Sequence, residues 1–152
     1  VLMKEDFAKG EFDVILTTEE HPDPGAEVLG ARPLVWVGAP GGSAWQRRPL
    51  RLGFKDTCIF RLRAQAALDA AGITWDLATG GESEQAVEAT VAADLAISAR
   101  MTGSIPEGTE IIAGDNQLPA LGEMKLALYT ATRRKDEAVD LLLSELRCGY
   151  GC

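Results

Sequence analysis

The sequence predicts an α/β fold with mixed, mostly parallel sheets, and three observations carry that expectation. Short apolar runs rich in Val, Ile and Leu alternate along the chain with segments of helical period. Glycines stand where the helical segments should stop, at Gly10 and Gly72. The first strong strand, Phe12-Asp13-Val14-Ile15-Leu16-Thr17, is almost continuously apolar, as a strand covered on both faces of a parallel sheet would be. At 152 residues the chain fits one domain, or two small lobes sharing one chain.

The elements follow in order. Leu2, Met3 and Phe7 share one helical face in a segment that Gly10 ends, and the strand from Phe12 comes next. With no strand before that first helix, the sheet is expected to be incomplete on its N-terminal side. Glu19-Glu20-His21-Pro22-Asp23-Pro24-Gly25 is turn-forming, and Ala26 to Leu29 and Pro33 to Gly38 are two strand candidates. Pro40-Gly41-Gly42-Ser43 breaks the chain at the expected hinge, before a segment ending in Leu50-Arg51-Leu52-Gly53-Phe54. A helix capped by Asp56 or Thr57 should run to Gly72. Ile73 to Thr79 alternates as a strand, and Ser83 caps a helix over Glu84 to Ala92. Asp94 to Ala99, Glu110 to Ala113 and Lys125 to Thr130 are further strands. The closing helix, from about Lys135 to Arg147, should bury a broad face of Ala138, Val139, Leu141, Leu142, Leu143 and Leu146.

Composition excludes several classes. Hydrophobic residues at 46% and charged residues at 25% are those of an ordinary globular domain. A net charge of -8 opposes direct binding to nucleic acid, which needs clustered Lys and Arg on one face. The one dense basic run, Arg133-Arg134-Lys135, is followed at once by Asp136 and Glu137 and reads as a solvated helix start. Cysteines at 58, 148 and 152 have neither the count nor the spacing of a disulfide framework or a zinc site, so a reducing cytoplasm is the expected location. No stretch is long and apolar enough to span a bilayer, and no leader pattern opens the chain; no membrane association is expected.

Residues that could carry catalysis are few. His21 is the single histidine and lies in the Pro-rich loop. Cys58 stands at a helix start, where a thiolate is favoured but where a small buried residue serves equally well. No phosphate loop, nucleophile elbow, paired-histidine helix or calcium loop is present, so no enzyme, metal or cofactor is expected. What stands out instead are two helix N-termini, at Thr57-Cys58 and at Glu82-Ser83, each following a strand. Free backbone N–H groups at such places hold small ligands, anions above all. Thr57 and Ser83 would also be there if they only capped their helices.

The order of pieces resembles the LysR-type transcriptional regulators. The resemblance is carried by Ala8-Lys9-Gly10-Glu11-Phe12-Asp13-Val14-Ile15-Leu16, by Glu27-Val28-Leu29, Pro33 to Gly38 and Arg48-Pro49-Leu50-Arg51-Leu52, and by the Cys58-Ile59-Phe60-Arg61 helix start. Ala70-Ala71-Gly72-Ile73 with Trp75, Ser83 leading into Ala86-Val87, and Leu118-Pro119-Ala120-Leu121-Gly122 add to it. Where the family usually has Ala-Gly-Leu-Gly-Ile, this chain reads Ala93-Asp94-Leu95-Ala96-Ile97 and loses both glycines.

The resemblance implies the two-lobed fold of type II periplasmic binding proteins, with the first lobe incomplete. Lobe one would comprise residues 1–38 and 128–152, and lobe two residues 39–127. It implies an effector-binding domain that takes a small organic, anionic effector between the lobes, with no catalysis. The contacts it points to are Thr17 and Thr18, then Thr57, Cys58 and Phe60, then Gly81, Glu82 and Ser83, and lastly Ser98 and Arg100. Arg100 could pair a carboxylate bidentately, or be an exposed arginine at a strand end. A homodimer or homotetramer is implied as well, with DNA reached only through an N-terminal domain outside this chain. A solute-binding protein of a transport system would share the fold, and an enzyme on it could offer only Cys58 with Glu82.

Overall fold

The computed structural model describes residues 2–113, 117–132 and 136–150. The expected basic run Arg133-Arg134-Lys135 and the last two residues, Gly151 and Cys152, lie outside the described residues. The chain divides into two compact units, Val1–Arg32 with Glu123–Cys152, and Pro33–Gly122.

In the first unit, helix α1 (Leu2–Lys9) ends where Gly10 turns at φ 85° and returns its N–H to the Phe7 carbonyl at 3.0 Å. Strand β1 (Val14–Glu19) pairs antiparallel with β7 (Glu123–Thr130), from Val14 opposite Thr130 to Glu19 opposite Lys125, and β7 lies between β1 and β2 (Glu27–Gly38). Ile15, Ala127 and Tyr129 form the core, with Phe7 and Ala26 packed on it. The Phe7 ring meets Tyr129 edge-on at 6.2 Å.

The closing helix, α4 (Glu137–Tyr150), departs from the sequence expectation. Leu143 is buried, with Val139 and Leu146 half-buried on the same stripe, while Leu141 and Leu142 are exposed. The apolar run is thus longer than the buried stripe, which keeps the narrow i, i+4, i+7 spacing. A bidentate ion pair from Arg147 to Glu27, both bonds 2.8 Å, ties the end of α4 to β2.

In the second unit, the latter half of β2 pairs antiparallel with β5 (Ser98–Met101) and with β6 (Glu110–Ile111). Strands β3 (Leu50–Gly53) and β4 (Trp75–Thr79) are parallel, and Ile97 joins them through a parallel bridge to Leu52. Helices α2 (Ile59–Ala70) and α3 (Glu84–Ala92) follow β3 and β4. Leu50, Leu52, Phe54, Ala64, Leu68 and Ile97 are completely buried, and Val87, Val91 and Ala96 pack with Ala78.

The expected mixed α/β architecture is present, but the strands are not mostly parallel. Among the described residues, β1–β7, β2–β5 and β2–β6 are antiparallel, while β3 is parallel to β4 and to Ile97. Parallel pairing requires a crossover. Only the β3–α2–β4 segment and the α3 return to Ile97 supply one in the second unit, whereas β7 arrives from a loop and runs against β1.

Three local expectations also change. The two strand candidates around Gly30 are one strand of 12 residues, β2. The N-cap of α2 is Cys58 rather than Asp56 or Thr57, and its side chain makes no capping bond. The strand expected over Asp94 to Ala99 is displaced to Ser98–Met101, because Asp94 adopts φ 59°. That left-handed turn stands where the family pattern has glycine. The Asp94 carboxylate occupies it by accepting bonds from the backbone of Ser43 and Ala44 at 3.0 and 2.9 Å. Gly42 is required beside it, since a β-carbon there would collide with Asp94 Oδ1.

The Ser83 cap behaves as the sequence predicts, its Oγ accepting from the Ala86 N–H at 3.2 Å. Ser83→Ala should therefore cost about 1 kcal/mol, read as a lower denaturant midpoint with an unchanged slope.

Candidate functional site

The parallel ladder of the second unit determines where its loops gather. Gly53 donates to the Ile97 carbonyl at 2.8 Å and Ile97 to that of Arg51 at 2.9 Å, while β4 runs alongside β3. The C-terminal ends of three chain segments therefore open on one edge, where α/β sheets hold ligands. Thr57 and Cys58 follow β3, Gly81, Glu82 and Ser83 follow β4, and Ser98 and Arg100 follow Ile97.

The first two loops are bonded to each other. Asp56 Oδ2 accepts the Gly81 N–H at 2.9 Å, and the Gly81 carbonyl accepts the Asp56 N–H at 3.1 Å. Thr57 Oγ1 donates to Glu82 Oε2 at 2.8 Å, and Arg61 holds the other Asp56 oxygen at 3.0 Å. Gly81 adopts φ 98°, a conformation open to glycine and costly for other residues. The N-terminal ends of α2 and α3 are thus locked side by side before any ligand arrives. The Thr79 hydroxyl at the end of β4 is buried without a hydrogen-bond partner among the described residues.

A second cluster completes this edge. Arg100, with its side chain 11% exposed, donates to Ser98 Oγ at 2.9 Å, to the Ala99 carbonyl at 3.0 Å and to Glu84 Oε1 at 2.6 Å. Lys55 Nζ lies 3.7 Å from the other Glu84 oxygen. Ser98 is fully buried, so its bond fixes the guanidinium from below.

Of the residues expected at a site, Thr57, Cys58, Gly81, Glu82, Ser83, Ser98 and Arg100 stand on this edge or in the loops that form it. Phe60 is half-buried in the first turn of α2. Arg100 is half-buried and bonded, not the freely exposed strand-end arginine. Thr17 and Thr18 lie on β1 in the first unit, where Thr17 Oγ1 bonds Glu19 Oε1 and the Ala127 carbonyl. Of the Cys58–Glu82 pair offered for an enzyme, Glu82 accepts its hydrogen bond from Thr57. His21 is exposed in its loop.

Lys55 and Glu84 were missed, and Asp56 was singled out only as an alternative helix cap. Each lies within two residues of a singled-out cap, but a charged residue beside a cap has no distinctive spacing; only the three-dimensional ladder joins them.

Elsewhere, Lys4 makes ion pairs with Glu19 at 2.8 Å and Asp23 at 2.7 Å and lies 4.7 Å from the centre of the Tyr129 ring. Bonds to Asp23, Glu19 and Tyr129 push the Lys4 ammonium well above the usual lysine value. Burial pushes Glu19 up, but bonds from Lys4, Thr17 and Tyr129 outweigh it and hold the carboxyl below its ordinary value. This network fastens α1 to β1. A cavity of ≈ 230 Å³ lined by Phe7, Ala8, Gly10, Thr130, Ala131 and Thr132 has no titratable side chain in its wall. Among the described residues no group of three or more His, Cys, Asp or Glu could hold a metal ion, and no helix is long and apolar enough to cross a membrane.

No family model matches the sequence, and no curated protein matches it. Solved structures do match in fold. The regulatory domain of CcmR from Synechocystis, solved with 2-PG, superposes with a TM-score of 0.72 at 13% identity, over 98% of this chain and 78% of that one. The effector-binding domain of QuiR in complex with shikimate gives a TM-score of 0.65 at 16% identity, over 99% of this chain and 77% of that one. Full-length HypT from Salmonella, a hypochlorite-specific LysR-type transcriptional regulator, gives 0.68 at 13% identity, over 97% of this chain; the chain spans 55% of HypT. The chain has the fold of the regulatory, effector-binding domains of LysR-type transcriptional regulators.

Proposed function

We propose that this chain is the effector-binding part of a LysR-type regulator and that it binds a small organic anion at the C-terminal edge of the β4–β3–Ile97 ladder. The observation that carries the reading is the convergence there of two helix N-termini, the Gly81–Ser83 loop and the half-buried Arg100. Backbone N–H groups at the starts of α2 and α3 receive negative charge. The Thr57 and Ser83 hydroxyls and the Cys58 and Phe60 side chains border the ligand, and Arg100 pairs its acidic group. That relatives of this fold were solved with shikimate, a carboxylate, and with 2-PG supports an organic ligand here.

The output is regulatory rather than catalytic. A ligand that favours one arrangement of the chain over another shifts how subunits assemble, and through them the spacing of DNA-binding segments outside this chain. Assembly as a homodimer or homotetramer in the cytoplasm belongs to the same proposal. The matched structures are regulators, which favours this reading over a transport solute-binding protein.

Thermal unfolding against a panel of small organic acids tests the site. An acid present at about a hundred times its dissociation constant should add roughly 2.7 kcal/mol of stability. In Arg100→Gln the shift, measured against that variant's own unliganded transition, should vanish. An acid whose shift survives in Arg100→Gln binds elsewhere, and the site is then wrong.

A further inference from the structure

Glu84 is the feature that the proposed function does not use. It is the first residue of α3, and its side chain is 46% exposed, against 11% for Arg100 and 32% for Lys55. The two cations reach opposite oxygens of one carboxylate, Arg100 at 2.6 Å and Lys55 at 3.7 Å. The guanidinium is fixed from behind by Ser98 Oγ and the Ala99 carbonyl, so it does not need Glu84 to hold its place. Glu84 is by contrast 46% exposed, and among the described residues its carboxylate is bonded to these two cations. The cluster therefore joins an anchored guanidinium and a neighbouring lysine to a more exposed carboxylate.

We propose that Glu84 is a resident competitor: in the empty protein its carboxylate occupies the position on Arg100 and Lys55 that the carboxylate of a ligand takes in the bound state. The inference rests on the anion-binding reading above and narrows its ligand class to carboxylates. A carboxylate reproduces the geometry Glu84 already shows, two oxygens addressed by two cations. Binding is then an exchange of one carboxylate for another. Its cost is the broken Glu84 pair together with the repulsion between Glu84 and the incoming charge. The displaced Glu84 side chain swings into solvent at the start of α3, so arrival of the ligand is reported to that helix by a side-chain movement.

The competing account makes Glu84 a strut that orients Arg100, and the two accounts predict opposite signs. The full 152-residue chain would be titrated with acetate and benzoate at constant ionic strength, with acetamide and benzamide as neutral controls, following the Arg100 side-chain resonances by NMR. For a competitor, Glu84→Gln should bind both acids about tenfold more tightly than the wild type, with no gain for the amides. Adding Arg100→Lys to Glu84→Gln should remove the gain, read in every variant from the backbone amide resonances of Gly81 and Ser83. Far-UV circular dichroism of each variant verifies that it is folded.

If the wild type binds the acids through Arg100 but Glu84→Gln binds them equally or more weakly, the competitor role is overturned and the anion site stands. If neither protein shows a response at Arg100 to either acid, both the competitor role and the carboxylate site fall.

Discussion

Phe54→Ala lowers the stability of the second unit by about 3–5 kcal/mol. Phe54 is completely buried and directly follows β3, so truncation opens a cavity in the core of the second unit, where Leu50 and Leu52 are as deeply enclosed. The loss is comparable to the total stability of a small domain. The variant should thus be largely unfolded near physiological temperature. Chemical denaturation followed by tryptophan fluorescence measures it directly. Leu62→Ala is the control: at 73% exposure the leucine should cost no more than about 0.5 kcal/mol. A Phe54→Ala midpoint within the range of Leu62→Ala would mean that the core is not where the structure places it.

Asp94→Ala comes next in size, at about 2–4 kcal/mol, from two sources. Alanine loses the charge-assisted bonds to the Ser43 and Ala44 N–H groups, and it must adopt a left-handed conformation that costs it about 1 kcal/mol or more. Asp94→Gly removes the second cost and keeps the first, so it should fall between alanine and wild type. Asp94→Asn keeps an acceptor and tolerates the turn, and should be the mildest.

Backbone bonds from Ser43 and then Ala44 hold the Asp94 carboxyl below its ordinary value, with Arg47 adding to the effect. A group depressed in the folded state binds its proton more tightly when unfolded. Its contribution is therefore fully present above the unfolded pKa and is lost as pH falls through the folded one. The wild type should lose stability in acid below about pH 4, and Asp94→Asn should lose less over that interval. Glu19 and Glu27 are depressed too and add to the acid limb, so the difference between wild type and Asp94→Asn isolates Asp94. Identical acid limbs for the two proteins would show that Asp94 is not bonded as described.

Much of the second unit was legible in the sequence because its elements are locally signalled. Ser83 caps α3 where expected, Gly72 ends the α2 segment with φ 67°, and β4 lies within the expected strand. Strand direction was not legible: an apolar run such as Val14 to Leu16 is compatible with parallel or antiparallel neighbours, and its partner β7 is more than a hundred residues away. Nor was α4. Leu141, Leu142 and Leu143 are chemically alike, and only packing decides that Leu143 is the buried one.

At the candidate site, cap-forming residues could be found from the sequence because a cap is a local device. The charge pairs could not. Arg100 finds Glu84 through the return of the chain to Ile97, and Asp56 finds Gly81 across two parallel strands. The loss of the family glycines at Asp94 and Ala96 is visible in the sequence, but what replaces them is not. The structure shows that the turn persists at Asp94, held by bonds to its carboxylate, and that Ala96 is fully buried.

All three tryptophans of the chain, Trp36, Trp45 and Trp75, fall within Pro33–Gly122, and both tyrosines, Tyr129 and Tyr150, fall outside it. Trp36 is 6% exposed and donates its indole N–H to the Pro119 carbonyl at 2.8 Å. Indole emission is accordingly a private optical channel for the second unit, and the tyrosine bands resolved from indole in the second-derivative absorbance spectrum report the first. Whether the two halves of this chain melt as one cooperative body or in succession can thus be read from a single unlabelled sample, by asking if the two signals share a midpoint.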